Sequence, residues 1–258
     1  MSRKWFSLIP LVLIVISLVF FNCCKKCNTC PNCPEPPEAT WTTYNTSNSG
    51  LVDNSVLAIA VDTSDNKWFT TFAGVSKFDG TDWTTYNTSN SELASDWVAT
   101  IAIDALGNKW FGTNSSGVSK FDGTNWTTYN TSNSGLAYNN VQAIAIDASD
   151  NKWFATFGGG VSKFDGTNWT TYNTSNSGLF SDYIFSIAID ASDNKWFGTY
   201  QGGVTEFSGA VWTTYVASDS GLVNDNVDAI AIDASDNKWF GTWDIMNGGG
   251  GVSKFGEE

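Results

Sequence analysis

A four-residue segment, Asn-Lys-Trp-Phe, occurs five times along the chain at almost constant spacing. Its tryptophans follow one another at steps of 42, 43, 43 and 43 residues: Trp68, Trp110, Trp153, Trp196 and Trp239. A second tryptophan, in the segment Trp-Thr-Thr-Tyr, keeps the same spacing at Trp41, Trp83, Trp126, Trp169 and Trp212. A period of this length, with Gly and Asp turns between β-forming residues, is typical of β-propeller blades and not of helical repeats.

One copy of the repeat divides into four short strands at its turn residues. The strands are predicted at residues 141–147, 151–157, 160–164 and 168–173. The dipeptides Asp150-Asn151 and Asp165-Gly166 tolerate the positive φ that a tight hairpin requires. Because successive side chains of a strand point to opposite faces, Trp153 and Phe154 are expected to pack against the two neighbouring blades.

The two ends of the repeat region are complementary. The last copy holds three of the four strands and stops after Phe255, whereas an extra fourth strand, residues 40–45, precedes the first copy. An open array would need capping repeats, and the chain shows none. The sequence therefore predicts an all-β fold, a single five-bladed β-propeller over residues 40–258 that is closed by the N-terminal strand completing the last blade.

Residues 1–22 differ in composition from the rest of the chain. A short basic stretch containing Arg3 and Lys4 is followed by an uncharged, nearly continuous apolar run over residues 5–21. This pattern is typical of a signal peptide or a membrane anchor. Because basic flanks tend to stay in the cytoplasm, the remainder of the chain is expected to be exported, facing the periplasm or the cell exterior.

All five cysteines lie directly after this run, at Cys23, Cys24, Cys27, Cys30 and Cys33. The join before Cys23 resembles a bacterial lipobox, which implies lipidation of Cys23. The four remaining thiols are an even number that can pair as disulfides outside the cytoplasm. Their spacing is similar to that of a bacterial iron–sulfur motif, but two residues precede the last cysteine where that motif has three. A lipid anchor, an uncleaved helix and simple secretion stay open, with residues 23–39 as a Cys/Pro-rich tether.

The composition excludes several kinds of chemistry. The chain contains no histidine, which removes His-based triads, histidine metal ligands and an imidazole base. Its net charge of -13 repels phosphate backbones, so no nucleic-acid partner is expected. We expect no cofactor.

The repeat resembles the two-component regulator propeller repeat. The resemblance is carried by the segments Asp-Ala-Leu-Gly-Asn-Lys-Trp-Phe-Gly-Thr at residues 104–113 and Gly-Val-Ser-Lys-Phe-Asp-Gly at residues 117–123. It covers about 215 residues, in five copies. It implies a propeller fold and a place outside the cell, since propellers of that family are commonly extracellular sensor portions of signalling receptors.

An aspartate ends the first strand of every copy, and a second one follows in four copies. The first set is Asp62, Asp104, Asp147, Asp190 and Asp233, and the second is Asp65, Asp150, Asp193 and Asp236. Carboxylates at this density suit a calcium ion. The same residues are those that a hairpin turn prefers, and Gly107 replaces the second aspartate in one copy. We therefore interpret them as turn residues and predict no metal site.

Differences among the copies are concentrated in two loops that strand polarity places on one face. The loop leading into each blade carries Asp53-Asn54, Asp96-Trp97, Tyr138-Asn139, Asp182-Tyr183 and Asn224-Asp225. The loop between the second and third strands carries Phe72, Asn114, Phe157, Tyr200 and residues 243–247. The candidate ligand-binding residues are Asp96, Trp97, Tyr138, Asp182, Tyr183, Tyr200, Asp225 and Trp243.

Aromatic rings beside Asp and Asn suit a neutral polar ligand. The main hypothesis is a non-catalytic surface propeller that binds a glycan or an envelope or extracellular protein, anchored to the membrane by a lipid or an N-terminal helix. The alternatives are an extracytoplasmic sensor subunit acting with a separate membrane partner, and a propeller lyase or hydrolase. Free drift of surface loops also explains the variation.

Overall fold

The computed structural model describes residues 39–244 and 249–256. The predicted signal or anchor, Cys23 with the other cysteines, and the tether up to residue 38 lie outside the described residues. The chain divides into two units, Met1–Thr43 and Tyr44–Glu258, and every described strand belongs to the second. The described part of the chain contains no helix with the length and hydropathy needed to span a bilayer.

The second unit is all-β, and its described residues form 19 strands in five antiparallel sheets. The first sheet contains β1 (Ala58–Val61), β2 (Lys67–Thr71), β3 (Gly74–Phe78) and β4 (Trp83–Tyr86). The second contains β5 (Val98–Ile103), β6 (Lys109–Thr113), β7 (Val118–Phe121) and β8 (Trp126–Tyr129). The third contains β9 (Val141–Ile146), β10 (Lys152–Thr156), β11 (Gly160–Phe164) and β12 (Trp169–Tyr172).

The fourth sheet contains β13 (Ile184–Ile189), β14 (Lys195–Thr199), β15 (Val204–Ser208) and β16 (Val211–Tyr215). The fifth contains β17 (Val227–Ile232), β18 (Lys238–Trp243) and β19 (Gly250–Phe255). Within each sheet the strands pair in chain order, as the turn residues predict. Asp150 has a φ of 63° and Gly166 a φ of 99°, so both predicted hairpin positions adopt the left-handed region.

The side chains of the second strands pack across the junctions between sheets, as predicted from strand alternation. Trp110 on β6 is buried with Phe154 and Phe164 of the next sheet. Phe111, its neighbour in sequence, is buried on the other side of β6 with Trp68 of the preceding sheet. Each fully buried aromatic ring contributes roughly 1.5–3 kcal/mol of hydrophobic free energy, so these junctions form the core.

The predicted closure of the ring is not confirmed. The fifth sheet has three strands among the described residues, and residues 39–45 contain no strand. Trp41, expected to lie in the closing strand, is fully exposed. Ile59 and Val61 of the first sheet are also exposed, 63 % and 56 %, so the face that a closed ring would bury remains open. A strand forms only where its backbone N–H and C=O groups can pair with those of a neighbouring strand. Residues 39–45 carry the sequence pattern of a fourth strand, but without such pairing they do not become one.

Candidate functional site

The aspartates that end the first strands accept hydrogen bonds from neighbouring residues of the repeat. Asp104 accepts hydrogen bonds from Nδ2 of Asn108 at 2.8 Å and from Nε1 of Trp110 at 2.9 Å. Lys152 of the next sheet places its Nζ 3.6 Å from Asp104 Oδ2. Burial alone raises the pKa of Asp104, but the hydrogen bonds and the nearby lysine outweigh it and hold the pKa below its usual value.

Asp62, Asp147 and Asp190 also contact a lysine of the next sheet, and Asp233 makes the equivalent hydrogen bonds with its own turn and with Trp239. The pKa of Asp190 is lowered to about 2 despite its burial, by hydrogen bonds from Trp196 and Asn194. Within the described residues, no three Asp, Glu, Cys or His side chains are grouped closely enough to hold a metal ion. The carboxylates accept hydrogen bonds from the main chain and the asparagines of their own turns.

On the variable face, five aromatic side chains from three successive sheets form one group, here called the aromatic cluster. Its members are Phe157, Tyr183, Phe185, Tyr200 and Trp243. The ring of Phe157 lies 5.0 Å from that of Tyr183, and the ring of Trp243 lies 6.3 Å from that of Tyr200. Three of the predicted ligand-binding residues, Tyr183, Tyr200 and Trp243, are therefore brought together.

Main-chain hydrogen bonds position the loops that carry the cluster. The amide of Tyr200 donates to the carbonyl of Tyr183 at 2.9 Å, and the amide of Trp243 donates to the carbonyl of Asn226 at 3.1 Å. Phe157 and Tyr183 also form an isolated β-bridge. The rings are consequently held in place by backbone contacts, while Tyr183 keeps nearly half of its surface exposed.

Phe185 is a cluster member that the sequence did not single out. It occupies the second position of its first strand, where the other copies have Leu57, Ala99, Gln142 and Asp228. Its ring lies 5.5 Å from Phe157 and 6.4 Å from Trp243, so it joins the two ends of the cluster. A large aromatic residue at a position occupied by unrelated residue types in the other copies was the signal that could have identified it.

A groove of about 310 Å³ lies beside the cluster. Tyr138 and Phe157 line it together with the polar side chains of Asn114, Asn139 and Asn140. Nδ2 of Asn140 donates to Oδ1 of Asn114 at 3.2 Å. The groove thus combines two aromatic rings with amide groups that can both donate and accept hydrogen bonds.

Trp97 occupies a separate place on the variable face. Its ring packs edge-on against Phe72 at 5.1 Å, and both rings are nearly half exposed. Its carbonyl accepts a hydrogen bond from the amide of Asn114 at 3.2 Å, which connects the pair to the rim of the groove. Trp97 is therefore near the groove but outside the aromatic cluster.

The three predicted aspartates serve mainly to shape their own loops. Asp96 accepts a hydrogen bond from the amide of Thr88 at 2.7 Å, and Asp182 accepts one from the amide of Thr174 at 2.7 Å. Asp225 accepts one from the amide of Ala217 at 2.6 Å. The equivalent position in two other copies is an asparagine with the same role, so the role does not require a charge. Only their remaining lone pairs are available to a ligand.

Known proteins resemble this chain in fold and not in close sequence. No protein-family model matches it, and no curated protein matches it. A solved structure of the extracellular domain of a protein described as a hybrid two component system from B. thetaiotaomicron matches with a TM-score of 0.68 and 23% identity. That match covers 82% of this chain and 30% of that one.

Two further structures are similar. PorZ, described as a bacterial surface component of the type-IX secretion system of Porphyromonas gingivalis, matches with a TM-score of 0.61 and 16% identity over 81% of this chain and 34% of its own. Virginiamycin B lyase from Staphylococcus aureus matches with a TM-score of 0.59 and 16% identity over 78% of this chain and 69% of its own. This chain thus spans about a third of the first two proteins.

At these identities the matches establish the fold. They confirm an all-β architecture of propeller type, and the two-component protein among them agrees with the resemblance of the repeat to the two-component regulator propeller.

Proposed function

We propose that this protein is a non-catalytic binding module, held outside the cytoplasm, whose variable face recognises a glycan. The observation that carries the proposal is the groove lined by Tyr138 and Phe157 beside Asn114 and Asn140. Sugar rings stack their C–H faces on aromatic rings, and their hydroxyl groups exchange hydrogen bonds with amides. The groove and the adjoining aromatic cluster contain no lysine or arginine among their described side chains, which suits an uncharged ligand.

A glycan array with the full chain in detergent tests this proposal. Wild-type protein is expected to bind a defined set of glycans, and Tyr138→Ala and Tyr183→Ala are each expected to weaken binding about tenfold, because each removes a stacking ring. Leu106→Ala is the matched control, since Leu106 is highly exposed but lies in a turn between first and second strands. Absence of any bound glycan, or equal binding by the tyrosine variants, would contradict the proposal.

A protein ligand is the second candidate, with this chain acting as an extracytoplasmic sensor subunit for a separate membrane partner. It is favoured by the similarity to an extracellular domain of a protein described as a two component system. Purification of the full chain from its native membranes should then recover a signalling protein in stoichiometric amount. Recovery of this chain alone would argue against the sensor role without affecting the glycan test.

The location outside the cytoplasm rests on the N-terminal sequence and is supported by two similar structures, one described as an extracellular domain and the other as a bacterial surface component. We propose that residues 1–22 are removed and that Cys23 carries a lipid. Mass spectrometry of the mature N-terminus should find a lipid-modified Cys23. A chain that still begins at Met1 would identify the apolar run as an uncleaved anchor.

A further inference from the structure

The four junctions between neighbouring sheets are built from the same contacts. At each, a tryptophan of one sheet is at most 2 % exposed, and a lysine of the next sheet approaches an aspartate of the first at 3.2–3.6 Å. The same lysine lies over the tryptophan ring, 5.1–5.4 Å from its centre. A valine of the third strand is fully buried there, at Val75, Val118, Val161 and Val204. Each junction therefore has a tryptophan side and a lysine side.

The fifth sheet carries an exposed tryptophan side. Trp239 is 39 % exposed, and Val252, the counterpart of the four buried valines, is 65 % exposed. Asp233, the counterpart of Asp190, accepts hydrogen bonds from its own turn and from Trp239. This surface, here called the tail, has the chemistry of a half-formed junction.

The first sheet carries an exposed lysine side. Ile59 and Val61 correspond to Ile101 and Ile103, which pack against the Trp68 group at an internal junction. Lys67 corresponds to the lysines that reach across the internal junctions, and here it pairs with Asp65 of its own turn at 2.8 Å. This surface, here called the head, offers apolar side chains and a lysine, which match the exposed Trp239, Val252 and Asp233 of the tail.

A groove at the outer edge of the tail adds a second element of complementarity. Tyr215, Leu222, Phe240 and Phe255 line it. Their counterparts one repeat earlier surround Trp212, whose ring lies 4.4 Å from that of Phe207 and 5.4 Å from that of Tyr172. The groove therefore fits the tryptophan of a Trp-Thr-Thr-Tyr strand, and residues 41–44 of a second copy have that sequence.

We propose that the head of one copy of this chain packs on the tail of a second copy and forms between molecules the junction found four times within each. The head and the tail are both exposed in a chain whose four internal junctions are already formed. A second molecule can therefore cover each of these two surfaces. Lys67 of one copy faces Asp233 of the other, as Lys238 faces Asp190 within the chain. The contact is head-to-tail, and a chain with one damaged end still retains the other.

Two substitutions at exposed positions separate the ends without disturbing the core. Ile59→Glu places a charge in the head, and Val252→Glu places one in the tail. Full-length chains bearing two different tags are mixed in detergent, and one tag is used to capture the other. Wild-type chains should capture each other, whereas Ile59→Glu with itself and Val252→Glu with itself should show about tenfold less capture, since each places a charge in an apolar contact.

The decisive sample is the mixture of the two variants. The intact tail of the Ile59→Glu chain can bind the intact head of the Val252→Glu chain, so capture should return to a level near wild type. Leu106→Glu, at an exposed turn outside both ends, should leave capture unchanged. Absence of capture between wild-type chains would overturn the proposal. The proposal would also be overturned if each variant captured itself as well as wild type does, or if mixing the two variants did not restore capture.

Discussion

Lys152 Nζ lies 3.6 Å from Asp104 Oδ2, across the junction between the second and third sheets, with both side chains almost completely buried. The same lysine contacts Oδ2 of Asp150 at 2.8 Å and lies over the ring of Trp110. One side chain thus connects two turns and the aromatic core, as Lys195 and Lys238 do at the next two junctions.

Removal of this lysine should be costly. Lys152→Met leaves the buried carboxylate of Asp104 without its cation, and we expect the free energy of unfolding to fall by about 3 kcal/mol. Lys67→Met is the matched control, because its partner Asp65 is exposed and a surface pair contributes less than about 1 kcal/mol. Urea denaturation followed by tryptophan fluorescence measures both. Equal losses would show that the junction pair has no special role.

Two tryptophans of the repeated segment allow a direct comparison of burial. Trp153 is 2 % exposed and Trp239 is 39 % exposed, although each donates a hydrogen bond from Nε1 to its turn aspartate at 2.9 Å. Trp153→Ala should cost about 4 kcal/mol of stability through loss of burial and formation of a cavity. Trp239→Ala should cost about 2 kcal/mol. Thermal denaturation at low protein concentration tests this order, and a reversed order would contradict the assignment of the fifth sheet as an open end.

Stability should decline in acid. The folded-state pKa of Asp190 is lowered to about 2, below the value near 4 of an unfolded chain. A lowered folded pKa gives stability that is present above the unfolded value and is lost as the pH falls toward the folded value. We therefore expect the melting temperature to drop between about pH 4 and pH 2. Asp190→Asn should make this decline shallower, and an unchanged pH profile would refute the role of the carboxylate.

Alanine substitutions at two glycines with positive φ distinguish the cost of backbone strain from the cost of a steric clash. Gly160 has a φ of +75°, and a Cβ added there would lie 2.2 Å from the carbonyl oxygen of Tyr172. Gly166 has a φ of +99° with no atom within 4 Å of an added Cβ. Gly166→Ala should cost about 1 kcal/mol, from backbone strain alone. Gly160→Ala should cost at least twice as much, as measured by chemical denaturation, because the backbone of the fourth strand must also move.

The sequence by itself determined the strands within the five sheets, their order and their turns, but not the strand expected at residues 40–45. These features depend on local chemistry, such as the left-handed φ of Asp150 and the alternation that directs Trp110 and Phe111 to opposite faces. Differences among the copies also single out Tyr183, Tyr200 and Trp243, whose rings lie within 6.4 Å of one another in sequence order.

Only the tertiary structure decided which of these residues meet. It placed Phe185 among the cluster rings, assigned Asp96 and Asp182 to hydrogen bonds within their loops, and left residues 39–45 without a strand. The physical reason is that a repeat specifies contacts within a sheet and to the next sheet. Whether the first and last sheets also meet depends on the accumulated geometry of all four junctions, which no single copy of the repeat contains.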